Sequence, residues 1–175
     1  MPLSLHAAVV PSMLQILGAV GGLVGKAAAH CSERGLPAQT LIQARLAPDM
    51  HPFAYQVKSV AVHSAGALAG ALAGSFSPDM TTPPDSFAGL SDKVEEARAA
   101  LAALVPDELE RLAGQPVAFT IGEKFRRDFV AEDFLLSFSQ PNFYFHATTA
   151  YDILRAEGVS IGKVDYLGAM RVVQR

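Results

Sequence analysis

Apolar positions recur at helical spacing through most of this chain. Leu14, Leu17, Gly21 and Val24 mark one face of a first helix expected over residues 4–31. Pro11 stands inside it, where the missing N–H is expected to kink the helix or set its effective start. "ERGLPA" reads as a turn and "AQTLIQARL" as a short helical piece. The second long helix is read over 47–74, with Asp49 as N-cap and Pro52 in its first turn. Gly66, Gly70 and Gly74 fall four apart on one stripe, a spacing that predicts close approach of another helix. "SFSPDMTTPPDS" is a loop by its turn-forming residues.

A third helix is expected over 87–104, with Ser86 or Ser91 as cap and Lys93, Glu95, Glu96 and Arg98 as its wet face. "VAFTIGEKFRRDF" reads as strand, turn and strand about Gly122. The fourth helix is expected over 131–157, closed by Gly158. The tail beyond it is apolar enough to pack on the body. The expected fold is therefore all-α, a single domain over residues 1–175: a four-helix bundle with a small β-hairpin between helices three and four.

Composition sharpens this. Half the residues are hydrophobic, which excludes a disordered chain. A net charge of −3 argues against nucleic acid, which needs a basic face. The single cysteine, Cys31, excludes an internal disulfide and fits a reducing cytosol, with a small buried hydrophobe as its expected role. "MLQILGAVGGLVGKAAA" is interrupted by Gln15 and Lys26, so no membrane span is expected, and no Lys or Arg precedes Lys26 to form a signal-peptide head. The protein is expected to be cytoplasmic. Only eight charged side chains fall within residues 1–90. The first helices are thus apolar most of the way round, which predicts a homodimer that covers them.

The candidate chemistry lies where helices two and four face each other. His6 and His30 sit near opposite ends of helix one, ~35 Å apart, and cannot share a metal within one subunit. His51 and His63, read as twelve residues apart on one helix, differ by ~18 Å of rise and cannot either. On helix four, Asn142 and His146 are at i and i+4 and share a face that Thr149 continues. On helix two, Gln56 and His63 are seven apart. Gln56, His63, Asn142 and His146, with Tyr144 and Thr149, are the expected lining of a small-molecule pocket. His146 is its expected proton donor or acceptor, since imidazole titrates near neutrality. Asn142 is expected to orient His146 or the ligand. The bland alternative is a satisfied polar cluster in a helical core. Zinc or nickel wants three protein ligands of His, Cys or carboxylate type, and this face offers imidazoles and amides. Pro141 either starts a new helix or, inside a continuous one, leaves the Ser137 carbonyl without its donor.

"RLAPDM" at 45–50, "QV" at 56–57, "PNFYFHATTAYDILR" at 141–155 and "GVSIGKVDYLG" at 158–168 together resemble a bacterial family defined as a domain of unknown function. That family is similar to the DinB/YfiT-like superfamily of four-helix bundles. The resemblance implies a divalent-metal site of three histidines, one on helix two and an HxxxH pair on helix four, with thiol-dependent transferase or hydrolase chemistry and dimers. It places His146 at the second histidine of the pair and makes it the one metal ligand. Asn142 stands at the first, and Gln56 falls near the helix-two histidine.

Overall fold

A computed structural model describes residues 3–173. Among them, four long helices carry the fold. α1 is Leu5–Arg34, and a short α2, Gln39–Ile42, follows it. α3 spans 53–73 in three continuous parts: α-helical Phe53–Ala61, π-helical Val62–Gly66 and α-helical Ala67–Ala73. α4 is Phe87–Ala102 and a short α5 is Pro106–Glu110. α6 spans 131–156, again in three parts, with a π-helical turn at Phe134–Ser139. α7, Lys163–Leu167, packs back on α1. α1 lies against α4 and α6, and α3 lies against α6 and α4.

Local chemistry accounts for most boundaries. Ser4 caps α1 by accepting from the Ala7 N–H, and Glu110 adds its carboxylate to the Leu5 and His6 N–H groups. α1 runs through Pro11 without interruption and stops at Gly35, which takes the left-handed conformation (φ 63°) that a Cβ would penalise. Ser86 caps α4 through the Gly89 N–H. Asp49 does not cap α3: the helix begins at Phe53 with extended Pro52 at the cap position, so 47–51 are turn rather than helix. α1 is also long and apolar enough to cross a membrane by length and composition, against the expectation from its interruptions. Half of that stretch is buried inside this fold, as in a core helix.

The chain is mostly helical, but it is not all-α. β2 (Pro116–Ile121) and β3 (Phe125–Val130) form the expected antiparallel hairpin, turned at Gly122. A two-residue strand inside the expected loop, β1 (Ser75–Phe76), pairs parallel with β2 and makes the order β1-β2-β3. This strand also revises the role of the glycine stripe. A Cβ on Gly70 would lie 2.9 Å from Phe76 Cβ and 3.0 Å from the Ser75 carbonyl, so Gly70 admits β1 rather than a helix. Gly74 (φ 75°) ends α3 and sends the chain into β1.

The core runs between the long helices through Met13, Leu17, Leu23, Phe53, Leu90 and Phe143, all essentially fully buried. A second, aromatic cluster lies against the sheet. Phe76, Phe119, Phe134 and Phe138 are in ring contact there, with centroids 4.6–6.1 Å apart. Cys31 is buried in the main core, where desolvation raises its thiol pKa.

Candidate functional site

Two π-turns meet where α3 and α6 cross. A π-turn inserts one extra residue, so some backbone groups lose their helical partners. At Val62–Gly66 they are recovered by hydroxyls. Ser64 Oγ donates to the Val60 carbonyl at 2.7 Å and lies 3.2 Å from the Ala61 carbonyl. Ser139 Oγ, fully buried on the facing helix, donates to the His63 carbonyl at 2.7 Å. At Phe134–Ser139 the Ser137 hydroxyl donates to the Asp133 carbonyl, and Asn142 Nδ2 donates to the Phe138 carbonyl at 2.7 Å. Pro141 sits in the first turn after this widened segment. α6 therefore passes through it intact, and Pro141 does not start a new helix.

Three of the sequence-predicted residues are brought together. Gln56, buried at 2 % exposure, has its Oε1 2.7 Å from His146 Nδ1. His63 lies beside His146, with ring centroids 5.6 Å apart and planes within 17°. The other three serve the helix itself. Asn142 donates to Phe138, and Thr149 Oγ1 donates to the Phe145 carbonyl at 2.8 Å. Both are local side-chain bonds that helices accommodate. Tyr144, two positions from His146, packs edge-on against Phe143 at 5.3 Å. Asn142 thus does not orient His146. Gln56 does.

Elimination fixes the tautomer. The second amide atom of Gln56 is 2.9 Å from the His51 carbonyl, which can only accept. That atom must be Nε2, so the one facing His146 is Oε1, an acceptor. His146 therefore donates from Nδ1–H and keeps its lone pair on Nε2. Burial pushes the His146 pKa down to about 4, and the charges of His63 and His51 push the same way. Burial alone holds His63 at about 4. Both rings are neutral at pH 7, so His146 does not titrate near neutrality as its residue type predicts, because burial penalises its charged form. His63 Nδ1 is enclosed and has no hydrogen-bond partner, which is uncommon for a buried nitrogen.

His51 and Tyr55 complete the surroundings. The His51 ring stacks on Tyr55 at 3.8 Å, and Tyr55 meets His146 edge-on at 6.1 Å. The helical spacing of His51 from His63 does not apply, because His51 precedes α3. Phe145, 56 % exposed, stands at the outer side of His146 with centroids 5.3 Å apart. A cleft of about 390 Å³ opens elsewhere, between α3, α4 and β1, and none of Gln56, His63 or His146 lines it.

The donor set does not fit a three-ligand metal. Among the described residues, no group of three or more His, Cys, Asp or Glu side chains stands together. One nitrogen of His146 is already committed to Gln56, and amides are weak ligands for zinc and nickel.

Lys58, two residues beyond Gln56 on α3, is a buried charge that the sequence pattern does not reveal. At 2 % exposure its Nζ donates to the Asp79 carbonyl at 2.8 Å, the Thr81 carbonyl and Thr81 Oγ1 at 3.1 Å. It also pairs with Asp79 Oδ1 at 3.2 Å. The Thr81 hydroxyl, backed by the Thr81 N–H and the Lys58 ammonium, holds the Asp79 carboxyl at about 2. This clamp ties the strap over residues 77–86 to α3.

The model of the family described as Domain of unknown function (DUF1993) matches residues 5–167. The chain belongs to that family. A crystal structure of a DinB family member from Shewanella denitrificans superposes with a TM-score of 0.81. The two share 24 % identity, over 98 % of this chain and 96 % of that one, a likeness that establishes a DinB-like fold. No curated protein matches the chain.

Proposed function

We propose that this DUF1993 protein binds a small molecule where α3 and α6 face each other, with His146 Nε2 accepting a hydrogen bond from it. The observation that carries the reading is the Gln56–His146 hydrogen bond at 2.7 Å. It fixes one tautomer and leaves the other nitrogen of a neutral imidazole uncommitted, as a hydrogen-bond acceptor for a ligand donor. His63 supplies a second neutral imidazole, stacked on the first. With a pKa of about 4, His146 suits binding better than proton abstraction at pH 7, and the reading does without the metal-dependent transferase chemistry of the wider superfamily. The α1/α3/α4/α6 arrangement supports a four-helix bundle with the β2–β3 hairpin inserted before α6. A cytoplasmic homodimer goes with this reading, supported by the lone buried Cys31 and the apolar first half.

A thermal-shift screen of small metabolites against the wild type, His146→Ala and Gln56→Leu tests it. At least one compound is expected to raise the wild-type Tm by several degrees and to lose most of that shift in both variants. Shifts that survive both substitutions would place the ligand elsewhere.

A further inference from the structure

We propose that the cleft between α3, α4 and β1 is a second site, for a small zwitterion with an apolar body, of the α-amino-acid class. Its volume of about 390 Å³ lies within the range of small-molecule pockets. Its floor is α3, where Ala61, Ala65, Gly66 and Gly70 leave depth that larger side chains would fill. Val62, Phe76 and Ala97 give it apolar walls. The π-turn at Val62–Gly66 supplies three of these floor and wall residues, and such turns recur at functional sites.

The rim decides the ligand class. Asp79 lines the cleft, but its carboxylate is already held by Lys58 and Thr81. The charges left for a ligand are Lys93 and Glu96, one turn apart on α4. Their N···O separation of 3.8 Å is at the outer limit of an ion pair, and both are solvent-accessible, so neither satisfies the other strongly. A ligand of one sign would answer one of them and repel the other. An adjacent ammonium and carboxylate answer both, while the side chain of the amino acid occupies the apolar floor.

Titration of the full chain with leucine and phenylalanine, followed by amide NMR shifts, tests the site. Saturable shifts are expected at residues 61–70 and 93–97, weakened at least tenfold for the amino-acid amides and N-acetyl forms. Gly66→Leu should abolish them. A Cβ there meets nothing closer than 3.9 Å, so the added side chain fits the helix and fills the cleft. Glu96→Gln, at a 71 % exposed position that carries no folding risk, should weaken binding of the free amino acids tenfold or more. His146→Ala should leave it unchanged, which separates this site from the one at α6. No saturable shift, equal binding of the blocked forms, or binding indifferent to Gly66→Leu and Glu96→Gln would overturn the proposal.

Discussion

Acidification from pH 7 to pH 4.5 is expected to destabilise the protein by about 3–5 kcal/mol, more than any single surface change would. His63 and His146 both have folded pKa values of about 4, below the ordinary value of 6.5. The unfolded chain therefore takes up their protons first. Their contribution is complete above about pH 6.5 and is lost as the pH falls toward 4. Each proton taken up only by the unfolded state costs about 1.4 kcal/mol per pH unit. The two full shifts amount to about 7 kcal/mol, of which about 5 kcal/mol falls above pH 4.5, and partial solvent contact reduces that figure. Urea unfolding at a series of pH values measures the effect. The double substitution His63→Phe and His146→Phe removes both titrating groups and suits the neighbouring aromatic rings of Phe76 and Phe138. It should flatten the profile between pH 6.5 and 5. A wild-type stability independent of pH in that window would refute neutral, buried histidines.

Lys58→Met should cost about 2–4 kcal/mol and release the strap at 77–86. Methionine fills the aliphatic volume, so the loss is electrostatic. It removes a buried cation from two carbonyls, a hydroxyl and a carboxylate. Because Asp79 is a third exposed, water can recover part of the loss, which keeps the figure below that of a fully buried pair. Hydrogen exchange should quicken at Thr81, whose N–H bonds Asp79 Oδ1 at 2.8 Å, while the core of α1 stays protected. Unchanged stability and unchanged exchange at Thr81 would show that the clamp is incidental. Asp79 adds its own pH dependence. Its depressed pKa gives a contribution present above about pH 4 and lost as the pH falls through about 2.

Much of the fold is legible in the sequence because it rests on local rules. The apolar period, the Ser86 cap and the glycines at 122 and 158 each act within a few residues. What is missed depends on distant partners. β1 is two residues long and exists only because β2 lies alongside it. The two π-turns leave no mark in the hydrophobic period. They show only in retrospect, as Ser64, Ser137, Ser139 and Asn142 recovering displaced backbone groups.

The site was half legible for the same reason. The i, i+4 rule groups Asn142 with His146 by spacing, but it says nothing about where the amide bonds. Asn142 and Thr149 found carbonyls on their own helix. Gln56 could reach His146 because its other amide atom was taken by His51, a residue outside α3. Lys58 reads as an ordinary helix-surface charge until the strap closes over it.

The fixed tautomer of His146 is the centre of this account, and two-dimensional ¹⁵N NMR of the imidazole rings reads it directly. His146 should show a protonated Nδ1 and an unprotonated Nε2 at pH 7, and it should not titrate until the pH falls well below 6. In Gln56→Leu the preference for Nδ1–H should disappear. A His146 protonated on Nε2, or titrating near 6.5 in the wild type, would contradict the site.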